Sequence, residues 1–351
     1  MAKINILLIM LLTSLNLVGC RTIDFGLRQR NSENDHLLPA SSCLYYLSLE
    51  TDREGLQRAC VGEASETILA EKDIQEYSIT RDGNEIAYIQ DLQDDGSVIK
   101  MYAIDKKSDK EIISCDASRC ENISIHPDGS TIFYSRTGST TGFFQFEIDD
   151  ESEELISSSF ADWVDISPEG GYLRFHEADS GLIRILDLDD LTLVLSYKGD
   201  VDLVGSWSSD GKRFLMGERN VDGQLLISNY SEINVEKNEK EQLFTLPQGS
   251  AFYNPVYFRE DNYFVLSRAG VRNNSREVQV IDKEGNVVDT ITDRNEFDHS
   301  SLQWNPNVRI LAYQRKDITR SDSMPEIMIW DFETRTTSIV SANAVQPQWH
   351  H

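Results

Sequence analysis

The chain has 351 residues, with 33 basic against 59 acidic side chains, a formal charge of −26, and 40% apolar residues, which is an ordinary globular balance. The acid excess excludes an electrostatic nucleic-acid binder and a basic helix lying on anionic lipid, because both depend on clustered Lys and Arg. With 14 Phe, 13 Tyr and 5 Trp, disorder is excluded as well, and the length suits two average domains or one large all-β domain.

The first element is an address. Lys3 opens a segment that is almost wholly apolar from Ile4 to Val18 and ends in Leu17-Val18-Gly19-Cys20. An apolar run this short is a signal-peptide core and not a comfortable membrane span. Small residues before a Cys, directly after such a core, resemble the lipobox of bacterial lipoproteins. The resemblance implies that residues 1–19 are removed and that Cys20 carries the lipid. More than one acyl chain makes such an anchor stable. Arg21 stands where enteric lipoproteins retained in the inner membrane carry Asp, which favours the outer membrane. Residues 20–42 are polar and read as a flexible tether.

From residue 43 onward the sequence is one repeat. The segments ITRDGNEIAYIQ, IHPDGSTIFYSR, ISPEGGYLRFHE, WSSDGKRFLMGE, YFREDNYFVLSR and WNPNVRILAYQR align on a turn whose acid or amide is Asp82, Asp128, Glu169, Asp210, Glu260 and Asn307. The spacing averages about 45 residues. Each unit holds an apolar strand, a tight turn, a second strand, a looser loop, and then third and fourth strands. Asp-Gly suits the turn because it supplies a side-chain acceptor and a residue at ease with positive φ. Four short strands at this period predict an all-β fold, a β-propeller, over residues 43–351.

Closure is predicted from the ends. Trp207 and Trp304 stand three places before their turns, and Trp349 falls in the same column. The C-terminal residues around Val345–Trp349 therefore supply an innermost strand. At the other end, Leu44–Glu50 and Leu56–Val61 resemble the last two strands of a blade. Strands from both termini would share that blade, with no evident second strand. The expected count is seven blades, with six as the fallback.

Four cysteines follow Cys20, and in an oxidising compartment disulfides are expected, in one of three connectivities. If residues 43–50 and 54–60 form a hairpin turning at Thr51-Asp52, Cys43 falls directly opposite Cys60. Cys115 matches Cys60 one repeat later, and Cys120 lies five residues on, so Cys115–Cys120 would staple the link to the next blade. The six His are scattered, so no metal site and no cofactor is expected.

Sites of chemistry are scarce. Gly138-Ser139-Thr140-Thr141-Gly142 approaches a nucleophile elbow but falls in a strand-to-strand loop. His126, His176 and His299 lie in different units. The acidic run from Glu147 to Glu154 lacks the spacing and central Gly of a calcium loop and reads as a hairpin turn. One column is more suggestive: Arg136, Arg268 and Arg315 follow the second strand of their units, with Arg219 one place late. They would form a partial ring on one face, able to receive an acidic partner. The alternative is that each ties its blade to an acid of the adjoining one.

His126-Pro127-Asp128-Gly129 with Ser135-Arg136, Ser167-Pro168-Glu169-Gly170 and Ser208-Ser209-Asp210-Gly211 resemble the TolB-like propeller repeat. The fifth and sixth units depart from that pattern. The resemblance implies fold and not function, since such repeats serve translocation proteins, peptidase accessory domains and lyases alike. The expectation is a lipid-anchored bacterial envelope propeller, a non-enzymatic scaffold for an unidentified protein or peptide. The rivals are a hydrolase or lyase acting on glycans or peptides at the central channel, and a purely structural lipoprotein.

Overall fold

The computed structural model describes residues 42–350, apart from 61–62, 94–95, 117, 199–202, 223–224, 247–250, 259–260, 270–274, 293–295 and 306, and gives the backbone alone at 116, 219–222, 225–227 and 251. The lipobox, Cys20 and the tether up to residue 41 lie outside the described residues. The rest is all-β: seven antiparallel sheets of four strands, arranged as the blades of a propeller. Blades 1 to 6 take their strands consecutively from residues 74–116, 119–157, 161–198, 204–246, 251–290 and 297–342.

The turn between first and second strands shows why the repeat folds as it does. In blade 1 the Thr80 hydroxyl donates to the Asp82 carboxylate (2.7 Å), which accepts the Asn84 amide (3.0 Å). In blade 2 Asp128 accepts the Ser130 amide (2.9 Å). The following glycines, Gly83 and Gly129, sit at φ +68° and +80°, a left-handed conformation costly to residues with a Cβ.

The core lies between blades. Seven apolar clusters fill the seven gaps of the ring, such as Ile89 and Ile99 of blade 1 against Ile123 and Tyr134 of blade 2, or Phe258 of blade 5 against Leu311 and Trp330 of blade 6. First strands run along the central channel, while fourth strands such as Ser152–Ser157 are largely exposed. Every first strand pairs with its second through a one-residue register shift, for instance between Glu121 and Ser124 or between Ser300 and Gln303. These are β-bulges, and Asn122, Asn254, Ser301 and Gln346 occupy the left-handed region there.

Blade 7 corrects one expectation. Ala344–Trp349 is its first strand, as the Trp column implies, but Cys43–Ser48 is the second, Gly55–Cys60 the third and Glu66–Leu69 the fourth. The residues at 43–48 are all buried, as a strand inside a blade must be, so they cannot lie near its outer edge. The short, mostly exposed Glu66–Leu69 completes the four. Cys43 is bonded to Cys60 across the hairpin, Cα atoms 4.0 Å apart. Cys115, on the fourth strand of blade 1, is bonded to Cys120 on the first strand of blade 2. Cys60 ends a third strand, so the proposed repeat equivalence of Cys60 and Cys115 does not hold.

Candidate functional site

A propeller has two faces. First-to-second turns and third-to-fourth turns meet on one, here the turn face. Second-to-third loops and the links between blades meet on the other, the loop face. On the turn face, neighbouring blades are fastened to each other in sequence. His350 of blade 7 hydrogen-bonds through Nε2 to the Arg81 carbonyl of blade 1 (2.8 Å). The Arg81 amide donates to the Pro127 carbonyl of blade 2 (2.9 Å). His126 Nε2 meets the Gly170 carbonyl of blade 3 (3.1 Å), and Arg213 of blade 4 reaches Asp261 of blade 5 (3.0 Å). Arg81 also forms a two-pronged pair with Glu169, two blades away. Burial pushes the Asp128 carboxyl up, but the hydrogen bonds of Ser130 and the His126 imidazole outweigh it and hold the group at about 2.

The arginine column lies at the base of the loop face, and the structure shows what its guanidinium groups do. Arg136 pairs with Glu153 and stacks on Phe144, with its carbon 4.7 Å from the ring centre. Arg315 pairs with Glu326, directly opposite on the third strand, and covers Phe297 at 4.6 Å. Arg268 reaches Gln279 at 3.4 Å. All of these partners belong to the same blade as the arginine, so these contacts do not tie it to an adjoining blade; Arg136 and Arg315 are paired with acids, whereas Arg268 meets a neutral amide oxygen. For Arg219 only the backbone is described, paired opposite Ser228.

The loop face instead presents apolar side chains. Leu49 in the loop of blade 7, Leu92 in that of blade 1, and Ile318 and Met324 in that of blade 6 are all exposed, at 39% to 46%. Those three blades are consecutive in the ring. The other large exposed apolar residues, such as Leu155 and Val288, lie on fourth strands. Beside Leu49 is an open hollow of about 500 Å³ lined by Glu50, Thr51, Asp52 and Asn343. Across the face, the second and third strands of blade 4 stay paired up to Asp222 and Leu225, so this hairpin is long. Most of the loop 269–275 of blade 5 lies outside the described residues.

The candidate chemical residues do not converge. His126 is on the turn face, and His299 is buried with Nδ1 on the Arg276 carbonyl (2.5 Å); burial lowers its pKa. His176 holds Asp162 through Nδ1 (2.6 Å), at the loop-face end of the channel. Among the described residues no hydroxyl or thiol hydrogen-bonds to that imidazole, and no group of three metal-ligating side chains is present. Gly138–Thr141 forms the loop between the second and third strands of blade 2, Gly142 begins the third strand, and residues 148–151 form a hairpin turn.

Sequence reasoning missed Arg174. It is fully buried in the second strand of blade 3, in a column that holds Ala87, Phe133 and Leu215 in other blades. Its guanidinium lies 4.7, 4.6 and 4.4 Å from the rings of Trp163, Trp207 and Phe214 and donates to Asp165 (2.7 Å) and the Gly205 carbonyl (2.9 Å). Aromatic faces take the place of water around a charge that would otherwise be costly to bury. It fastens blade 3 to blade 4.

No family model matches the chain, and no curated protein matches it. Its likeness is to solved structures. TolB from Acinetobacter baumannii is 15% identical over 88% of this chain and 66% of its own, with a TM-score of 0.52. A prolyl endopeptidase is 12% identical over 86% of this chain and 50% of its own, with a TM-score of 0.60. The β-propeller domain of the Trilobed protease from Pyrococcus furiosus is 12% identical over 76% and 84%, with a TM-score of 0.58. This chain thus spans just under two thirds of that TolB and half of that endopeptidase. The likeness is one of fold. The Pyrococcus propeller has an open velcro topology, whereas here blade 7 joins strands from both ends of the ring.

Proposed function

We propose that the chain is a lipid-anchored, extracytoplasmic propeller of the bacterial cell envelope that binds a protein or peptide on its loop face without catalysing a reaction. In this reading residues 1–19 are a signal peptide, Cys20 carries the lipid, 20–42 are the tether, 43–351 are the binding domain, and the outer membrane is favoured. The lipobox resemblance supports the anchor; replacing Cys20 with Ser should leave the chain unlipidated and free of membranes after a high-salt wash. Retention on washed membranes would remove the anchor.

One observation carries the binding assignment: Leu49, Leu92, Ile318 and Met324 stand exposed on the loops of three consecutive blades. Apolar side chains grouped on loops of a rigid ring mark recognition surfaces. A photo-crosslinker at position 92 or 324 should give a discrete protein adduct in the native envelope, and one at Lys237 or Asp189 on the turn face should not. Adducts from both faces, or from neither, would overturn the assignment, the second result favouring a purely structural role. An enzyme at the channel is the second reading, favoured by the Asp162–His176 pair alone. A glycan- or peptide-cleaving activity abolished by His176→Ala would establish it.

A further inference from the structure

The loop face invites a question about charge. An arginine ring would select an acidic partner, but Arg136 and Arg315 are already neutralised by Glu153 and Glu326 of their own blades. What remains exposed in the apolar sector has the opposite sign. The described loop and link residues 49–54, 70–73, 92–93 and 318–325 carry six acids against three bases. Glu50 and Asp52 line the hollow of about 500 Å³ directly beside Leu49. The hollow is open to solvent, so a Lys or Arg head can reach both carboxylates while staying hydrated, and Leu49 beside it would cover its aliphatic stem. The chain as a whole, at −26, adds a field that draws cations toward it.

We infer that the occupant of this sector is a basic, apolar polypeptide segment, with a Lys or Arg seated in the hollow at Glu50 and Asp52 and apolar neighbours laid over Leu49, Leu92 and Met324. The inference rests on the loop-face reading and adds the sign and class of the partner. Apolar contact supplies most of the affinity, and the acids supply orientation and salt dependence.

The probe is a fluorescein-labelled twelve-residue peptide of Leu and Lys, read by anisotropy with the full chain, beside the same peptide with Glu in place of Lys. The Leu/Lys peptide should bind, more weakly as salt rises, and the Leu/Glu peptide should not. Glu50→Gln with Asp52→Asn should weaken binding about fivefold and flatten its salt dependence. Leu49→Ser with Leu92→Ser should weaken it about tenfold and leave the salt dependence in place. A control pair on the turn face, Asp149→Asn with Asp150→Asn, should change neither. All six positions are at the surface, so unchanged melting curves will show that each variant is folded.

Equal binding of the two peptides, no binding of the Leu/Lys peptide, or an equal loss from the turn-face control would each overturn the inference of a basic partner. If the acid pair is without effect but the Leu pair still weakens binding, the loop-face reading survives and the charge assignment falls. If neither pair has any effect, both fall.

Discussion

The two faces of the ring are built from the same repeat and put to different uses. On the turn face the units are alike, and their side chains and backbone fasten blade to blade: His350 to Arg81, Arg81 to Pro127, His126 to Gly170, Arg213 to Asp261. On the loop face the units differ in length and composition; Cys115–Cys120 and the Arg276–Asp298 pair tie neighbouring blades there as well, but four apolar side chains stand exposed in one sector. A position that must meet its neighbour in every unit is constrained by the repeat. A loop that meets only solvent is free to acquire a partner.

The disulfides test this contrast most strongly, because one lies at each face. Cys43–Cys60 closes the turn-face end of blade 7 and spans 17 residues; Cys115–Cys120 lies on the loop-face side and spans 5. Chain entropy gives about 3 kcal/mol for the longer loop and about 2 for the shorter. Replacing the first pair by Ser should therefore lower the denaturant midpoint more than replacing the second. An equal effect would mean that the bridge between blades 1 and 2 on the loop face holds more than its short loop accounts for.

Next in size is a pair of neighbouring glycines. Gly170 sits at φ +79°, and a Cβ there would lie 2.6 Å from Nε2 of His126. Gly170→Ala should cost about 1–2 kcal/mol through backbone strain and displacement of that imidazole. Gly171, with open space around its Cβ position, should accept Ala at almost no cost. Similar melting curves for the two variants would show that the turn contact is incidental.

Acid should loosen the turn face most, because Asp82, Asp128, Asp190, Asp210 and Asp282 are depressed there against Glu177 and Asp317 at the loop face. The carboxyls of Asp82, Asp128 and Asp210 are all held below their ordinary value, burial raising each while turn hydrogen bonds lower it further. For a depressed acid the stabilising contribution is present above the unfolded value, near 4, and is lost as pH falls, for Asp128 through about 2. Burial pushes Glu76, on the channel strand of blade 1, the other way, so protonation there does not oppose folding. Limited pepsin digestion between pH 4 and 2 should cut first within the first-to-second turns. First cuts in the loop-face segments would reverse the ordering of the faces.

The smallest effect on stability belongs to the loop face itself. Leu92→Ser or Met324→Ser should shift stability by less than about 1 kcal/mol, since close to half of each side chain already meets water. A loss above about 2 kcal/mol would mean that the ring depends on them for its own packing.

Much of this was legible in the sequence, and the exceptions have physical causes. The turn acids set the unit, and alternation placed Cys43 opposite Cys60. The position of that hairpin within its blade was not legible, because it depends on a partner strand at the other end of the chain, where Leu44 meets Trp349. Glu66–Leu69 escaped notice because an outermost strand of four residues, mostly in water, has no apolar pattern to show. The engagement of Arg315 was readable, since the hairpin register sets it directly opposite Glu326. That of Arg174 was not: its aromatic cage is drawn from Trp163, Trp207 and Phe214, on three other strands.

The shared blade also orders events in time. In the folding chain residues 43–69 can pair among themselves early, and Cys43 can find Cys60 within a short loop. The opposite edge of Cys43–Ser48 must wait for Ala344–Trp349, about 300 residues away along the chain. Until then a buried-type strand presents unpaired amides and Leu44 and Leu47 to its surroundings, a ready template for another chain. Completion of the ring thus closes the longest loop between paired strands and carries the largest closure entropy, set by the distance along the chain between its two halves.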